Sequence, residues 1–236
     1  MIRAVLLDAH GTLLELEPPA PALRRLMAER FGIEVSHAAA QRAIAAEIAY
    51  YRAHLHEGRN DQSVDELRGR CSHVLRQALA AEHVVEEIGA EELTQTLLAA
   101  LQFRPYPEVP ELLPQLRARG LRLVVASNWD ASLPQTLRRL GLLRHLDGVA
   151  TSAQCGAPKP EPAVFQHALQ LAGVSPQEAL HVGDSWEEDV VGATRAEIHP
   201  VLIARGERPV PEGAQAISSL DGLLALPELA HNLRPA

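Results

Sequence analysis

Lysine is nearly absent from this sequence: of 22 basic residues in a chain of 236, 21 are arginine, and the one lysine is Lys159. Where arginine replaces lysine almost everywhere, a retained lysine marks a place that needs a compact ammonium, since guanidinium is larger, planar and differently hydrated. Cysteine is also scarce. Cys71 and Cys155 fit neither a disulfide framework nor a zinc site with paired ligands, which points to a reducing compartment. Basic charge is in deficit, with 22 Lys+Arg against 30 Asp+Glu, a net charge of −8 and a pI near 5.8. A nucleic-acid or acidic-membrane partner needs a basic stripe to release counterions, so both are disfavoured. Long apolar runs are missing too. No stretch approaches the roughly 18 residues of a membrane span, and Met1-Ile2-Arg3 runs straight into a short apolar segment closed by Asp8, too short for a signal peptide. The expectation is a cytoplasmic protein with no nucleic-acid and no membrane partner.

What is present is an ordinary globular composition, 47% hydrophobic and 22% charged, long enough for a core domain with an insertion. Residues 2–7 read as a buried strand delivering a polar loop at Asp8. After the prolines at 18, 19 and 21 the periodicity is helical to about Leu101. Pro21 suits a first helical turn, with Gly32 as its stop. Another helix covers about His37 to Arg52, and a third begins at Ser63, where Ser63-Val64-Asp65-Glu66 has capping-box spacing. From Pro105 onward helices alternate with apolar runs: Leu121–Ala126, Gly148–Thr151, Ala179–Val182 and Pro200–Ala204, with helices near Pro110–Arg119, Leu133–Leu140 (capped by Ser132), Pro160–Gly173 and Glu187–Arg195. Alternation of this kind predicts an α/β fold, a Rossmann-like parallel sheet with helices on both faces. The predicted organisation is an α/β core of residues 1–16 and 102–236, interrupted by an all-helical insertion, residues 17–101.

Ligand sites of parallel sheets lie beyond the carboxyl ends of the strands. The residues predicted there are Asp8-Ala9-His10-Gly11-Thr12, Ser127-Asn128-Trp129-Asp130, the loop Ala157-Pro158-Lys159-Pro160, and Gly183-Asp184-Ser185 through Asp189. Asp8, Asp184 and Asp189 offer hard oxygen ligands for Mg2+. Gly11, Thr12, Ser127 and Asn128 can hydrogen-bond phosphoryl oxygens, with Lys159 as a point charge. So neutralised, Asp8 can attack phosphorus and form an aspartyl phosphate. Walker-type and Gly-x-Ser-x-Gly motifs are missing. Trp129 and Trp186 are expected to pack between the loops.

In order and spacing these motifs resemble the haloacid dehalogenase-like hydrolase superfamily. Ser127-Asn128-Trp129-Asp130, Pro158-Lys159-Pro160-Glu161-Pro162 and His181-Val182-Gly183-Asp184-Ser185 look most like its REG-2-like branch. The resemblance implies a type 1 helical cap, a Mg2+-dependent phosphatase of a small phosphorylated metabolite, and a metal contact through the backbone carbonyl of His10. The family's phosphatases carry a second aspartate where this chain has His10. That aspartate serves as acid to the leaving group and base to water. Imidazole, with a reference pKa near 6.5, can exchange protons at neutral pH in its place. Two alternatives stand beside this reading. One is a metal-independent 2-haloacid dehalogenase with Asp8 attacking carbon, since dehalogenases also lack the second aspartate, although they usually lack the acidic pair. The other is a weakly active or inactive phosphate-ligand scaffold. Phosphonate hydrolysis through a cap lysine is excluded because Lys159 is the only lysine.

If Lys159 is the charge clamp, Lys159→Arg, mild at a solvated site, removes most of the turnover of a phosphate ester. Retained turnover would reduce the lone lysine to coincidence.

Overall fold

The computed structural model describes residues 1–80, 85–206 and 209–230. It divides into two compact units, one formed by Met1–Glu15 with Pro105–Ala236 and the other by Leu16–Arg104.

The elements run in the order β1 (Ala4–Leu7), β2 (Leu14–Leu16), α1 (Pro19–Phe31), α2 (His37–His54), α3 (Asp61–Ala80), α4 (Ala90–Ala100) and β3 (Phe103–Pro105). There follow α5 (Val109–Ala118), β4 (Arg122–Ser127), α6 (Leu133–Arg139), β5 (Gly148–Thr151), α7 (Ser152–Cys155), α8 (Ala163–Ala172) and β6 (Ala179–Gly183). A single π-helical turn, Trp186–Val191, leads into α9 (Gly192–Arg195), β7 (His199–Ile203), β8 (Ala216–Ile217) and α10 (Pro227–Ala230).

β1 reads Ala-Val-Leu-Leu, and all four residues are fully buried. An unbroken apolar strand of this kind belongs inside a parallel sheet covered on both faces. The sheet has six strands in the order β5-β4-β1-β6-β7-β8, every pair parallel. Leu7 stands opposite Val125 on one side and Val182 on the other, so the residues that follow β1, β4 and β6 emerge side by side at the carboxyl edge. Phe165, Val164 and Ala168 of α8 pack with Leu6, Val124 and Ala126 on one face. β2 and β3 pair as a separate two-stranded sheet; they flank the stretch predicted to be helical, and the sequence pattern did not reveal them as strands. Three-residue strands hold too few alternating positions to register as a pattern.

Helix boundaries follow local chemistry. α1 opens on Pro19 rather than Pro21, with Pro18 before it, and closes on Gly32, whose φ of 67° takes the left-handed position that glycine adopts without strain. α3 begins at Asp61, two residues before the predicted start. Asn60 is its cap: its Oδ1 accepts the Ser63 N–H at 3.0 Å, and Ser63 Oγ accepts the Asn60 N–H in return. Ser132 stands at the N-cap position of α6 as expected but makes no side-chain cap hydrogen bond, its backbone being helical (φ −83°, ψ −8°) rather than extended. α8 starts at Ala163 and not at Pro160, since the Glu161 N–H closes a turn on the Pro158 carbonyl.

Among its described residues the helical unit buries one acid. Glu47 follows Ala43 and Ile44 on the apolar face of α2, is 3% exposed, and its Oε2 has no partner among the described residues. Burial pushes its carboxyl up to about 7 from the usual 4.5, only partly offset by a hydrogen bond with Cys71. A raised pKa means that the folded state holds the proton more tightly. Stability is therefore full below the unfolded pKa of 4.5 and is lost as pH rises to the folded value of about 7. Glu47→Gln, neutral at every pH, should match wild type near about pH 4 and exceed it by up to about 3 kcal/mol near about pH 8 in urea unfolding. A difference independent of pH would contradict this.

Candidate active site

The carboxyl edge of the sheet carries a closely knit set of charges. Lys159 precedes α8, its side chain is fully buried, and its Nζ donates to Asp8 Oδ1 at 2.7 Å and to Asp189 Oδ1 at 2.5 Å. Asp8, the residue directly after β1, is 6% exposed. Asp189, at 1% exposure, sits on the inner side of the π-helical turn. Asp189 collects two further donors: His181 Nε2 to Oδ1 at 2.9 Å and the Ser185 N–H to Oδ2 at 2.9 Å. A carboxylate can only accept here, so the imidazole proton lies on Nε2 and His181 Nδ1 is unprotonated, buried with no hydrogen-bond partner among the described residues.

The electrostatics divide the two aspartates. Burial pushes both carboxyls up. For Asp189 the Lys159 ammonium and the His181 hydrogen bond outweigh it, and the group lies well below the usual range. For Asp8 burial wins against Lys159, helped by the Asp189 and Asp184 charges, and the carboxyl rises to about 7 from 3.8. Burial alone would lower the Lys159 ammonium, yet Asp189 and Asp8 raise it above its ordinary value. His181 is lowered, chiefly by burial, and stays neutral.

Asp8, Asp184 and Asp189 place one oxygen each within 4.8 Å of one another. Three carboxylates against one ammonium leave an excess of negative charge, and the donors are all hard oxygens. That combination fits Mg2+, which favours carboxylates and keeps several waters. Asp184 is half-buried. Since Asp189 already accepts three hydrogen bonds, Asp8 has more freedom than Asp189 to reach a metal directly.

Two glycines make this packing possible. An added Cβ on Gly11, at φ +85°, would lie 2.4 Å from Asp184 Oδ2, and one on Gly183 would lie 2.0 Å from Asp189 Cγ. Gly11 also donates its N–H to the Leu14 carbonyl at 2.8 Å. Thr12 is buried with no partner for Oγ1 among the described residues, while its carbonyl accepts from Arg205 Nη2 at 2.8 Å. Arg205 reaches Gly11 O and Glu108 Oε1 as well, and lies 3.5 Å from the Tyr106 ring centre. It thereby fixes the loop that follows the nucleophile candidate. His10 is exposed at the start of that loop, and Ser127 is buried at the end of β4. Asn128, predicted to face phosphate, turns its amide to the Lys159 backbone and Glu188.

The structure thus gathers Asp8, Lys159, Asp184 and Asp189. Sequence reasoning missed the parts of His181, Gly183 and Arg205. A histidine inside the apolar run Ala179–Val182 was a readable signal, because a buried ring nitrogen needs a partner. Arg205 had none, being 193 residues from Thr12. Trp129 is buried as expected, but Trp186 is 42% exposed. The π-helical turn buries Asp189 and Val190 and leaves Trp186, Glu187 and Glu188 outside.

Comparison with known proteins points to one family. Residues 2–197 match the family model of the haloacid dehalogenase-like hydrolases. A mouse protein, haloacid dehalogenase-like hydrolase domain-containing protein 3, is 30% identical over 241 residues, covering 98% of this chain and 92% of its own. The phosphoserine phosphatase of Thermus thermophilus is 32% identical, covering 88% of this chain and 91% of its own. Among solved structures, a 2-haloacid dehalogenase from Pseudomonas syringae superposes with a TM-score of 0.66 at 26% identity, covering 98% of this chain and 99% of that one.

Gly183→Ala should displace Asp189 and lower stability by about 1–3 kcal/mol. Gly69→Ala, in open space on α3, should instead raise it by about 0.5–1 kcal/mol. Urea unfolding of the two variants measures both. Equal effects would show that the Gly183 cradle is not needed.

Proposed function

This chain belongs to the haloacid dehalogenase-like hydrolases, and we propose that within them it is a Mg2+-dependent phosphatase of small phosphate monoesters, working through an aspartyl phosphate on Asp8. The observation that carries the proposal is the trio Asp8, Asp184 and Asp189 around a buried ammonium. A purely metal-free attack on carbon would have no evident use for Asp184, whereas Asp189 also holds Lys159. Relatives named as phosphatases support the same reading.

Asp8 is held beside Lys159 with its carboxylate at the edge of the sheet. One oxygen attacks phosphorus, the bond from phosphorus to the leaving oxygen breaks, and that oxygen takes a proton from the His10 imidazolium. His10, exposed in the same loop, then accepts a proton from water as the water attacks phosphorus. The bond from phosphorus to Asp8 breaks, releasing phosphate and restoring the carboxylate. Ser127 and the loop at Gly11 and Thr12 orient the phosphoryl oxygens, and Lys159 offsets their charge. A Mg2+ ion bound by Asp8, Asp184, the His10 carbonyl and, directly or through water, Asp189 would neutralise the approach of two anions.

Phosphate release from an aryl phosphate and a panel of phosphorylated metabolites tests this. Turnover should require Mg2+, vanish with chelator, and fall at least about a thousandfold in Asp8→Asn. Absence of any turnover dependent on Asp8 would refute the proposal, and halide release from 2-haloacids without metal would replace it with the dehalogenase.

A further inference from the structure

The Asn128 side chain is occupied in a way that its neighbourhood to Ser127 does not explain. Its Oδ1 accepts the Lys159 N–H at 2.7 Å, and its Nδ2 donates to the Lys159 carbonyl at 3.1 Å and to Glu188 Oε2 at 3.0 Å. The amide therefore pairs with both polar groups of one backbone residue, as a neighbouring strand would. From Lys159 the connection continues through Nζ to Asp189 Oδ1, from Asp189 Oδ2 to the Ser185 N–H, and from Ser185 Oγ to the Glu188 N–H at 3.2 Å. Glu188 returns it to Asn128.

We propose that Asn128 and Glu188 are positioning residues that set the Lys159 ammonium, and not ligands of substrate; the inference rests on the hydrolase reading of the same site. A lysine side chain has four flexible bonds and loses up to about 2 kcal/mol of rotamer entropy when fixed. Here it is fixed before substrate arrives, its backbone by Asn128 and its tip by Asp8 and Asp189. Glu188 orients the Asn128 amide so that the donor faces the Lys159 carbonyl and the acceptor its N–H. An amide flipped by 180° would set like against like at all three contacts. The circuit joins three chain segments separated by 31 and 60 residues, so it also locks the loop after β4 to the π-helical turn.

The sole lysine makes the test direct. Lysine labelled with 13C and 15N gives one side-chain resonance in the full chain, which reads the ammonium without substrate or metal. Asn128→Asp sets a carboxylate oxygen against the Lys159 carbonyl and Glu188, and Glu188→Gln restores a donor opposite it. In wild type the resonance should stand apart from that of free lysine. Asn128→Asp should move it toward the free position, and the double variant should recover at least about half of the displacement. With an aryl phosphate, Asn128→Asp should lower kcat about a hundredfold with KM changed less than about threefold, and the double variant should regain about tenfold. Glu188→Gln alone should cost only a few-fold. If Asn128→Asp is not recovered folded, Asn128→Ala should shift the resonance in the same direction. An unmoved resonance, or a raised KM that Glu188→Gln does not relieve, would overturn the inference and return Asn128 to direct contact with substrate. If wild type hydrolyses nothing, the hydrolase reading fails while the resonance still decides the positioning role.

Discussion

Lys159 cannot be buried alone. A desolvated ammonium costs several kcal/mol unless ion pairs and hydrogen bonds compensate, and most of what surrounds the carboxyl edge of this sheet can be understood as that compensation. Asp8 and Asp189 reach it from two different strand ends. Asp189 is in turn held by His181 and the Ser185 amide, and its approach requires that residue 183 have no side chain. The parallel register, with Leu7 level with Val125 and Val182, puts these groups in reach of one another. A slip by one residue would turn each strand-end side chain to the opposite face of the sheet. The charge cluster and the sheet register are thus two expressions of one constraint.

The same cluster is left unbalanced, and the imbalance is what suits it to chemistry. One ammonium faces three carboxylates, and the excess falls on Asp8, whose carboxyl burial and neighbouring charges raise to about 7. In the proposed reaction a cation would relieve that excess, and a phosphoryl group brought beside it would meet the Asp8 carboxylate. Asp189, by contrast, is committed to three donors and serves to hold the lysine. Two aspartates with similar sequence settings acquire different roles through what surrounds them.

Sequence patterns carried the sheet because β1, β4 after Arg122 and, His181 apart, β6 are apolar runs whose ends are marked by Asp8, Ser127 and Asp184. They carried the convergence of those ends because parallel strands deliver their carboxyl termini to one edge. The rest depends on three-dimensional accounting. Asn60 displaced Ser63 as a cap because two candidates lay three residues apart and only geometry chooses. The π-helical turn reads as an ordinary helix start in sequence, yet it decides that Asp189 faces inward and Trp186 outward. Asn128 carried the signal of a phosphate ligand, whereas its partners are a backbone 31 residues away and a carboxylate 60 residues away. Arg205 had no local signal for its grip on the Gly11 and Thr12 carbonyls.

In the proposed reaction Asp8 is the residue that takes up phosphorus. Mass analysis of the peptide containing Asp8, after acid quench of the wild-type enzyme turning over an aryl phosphate with Mg2+, tests this without reference to substrate identity. A phosphoryl adduct on Asp8 that disappears on chase is the predicted result. Turnover with Asp8 unmodified, or an adduct on another residue, would contradict it.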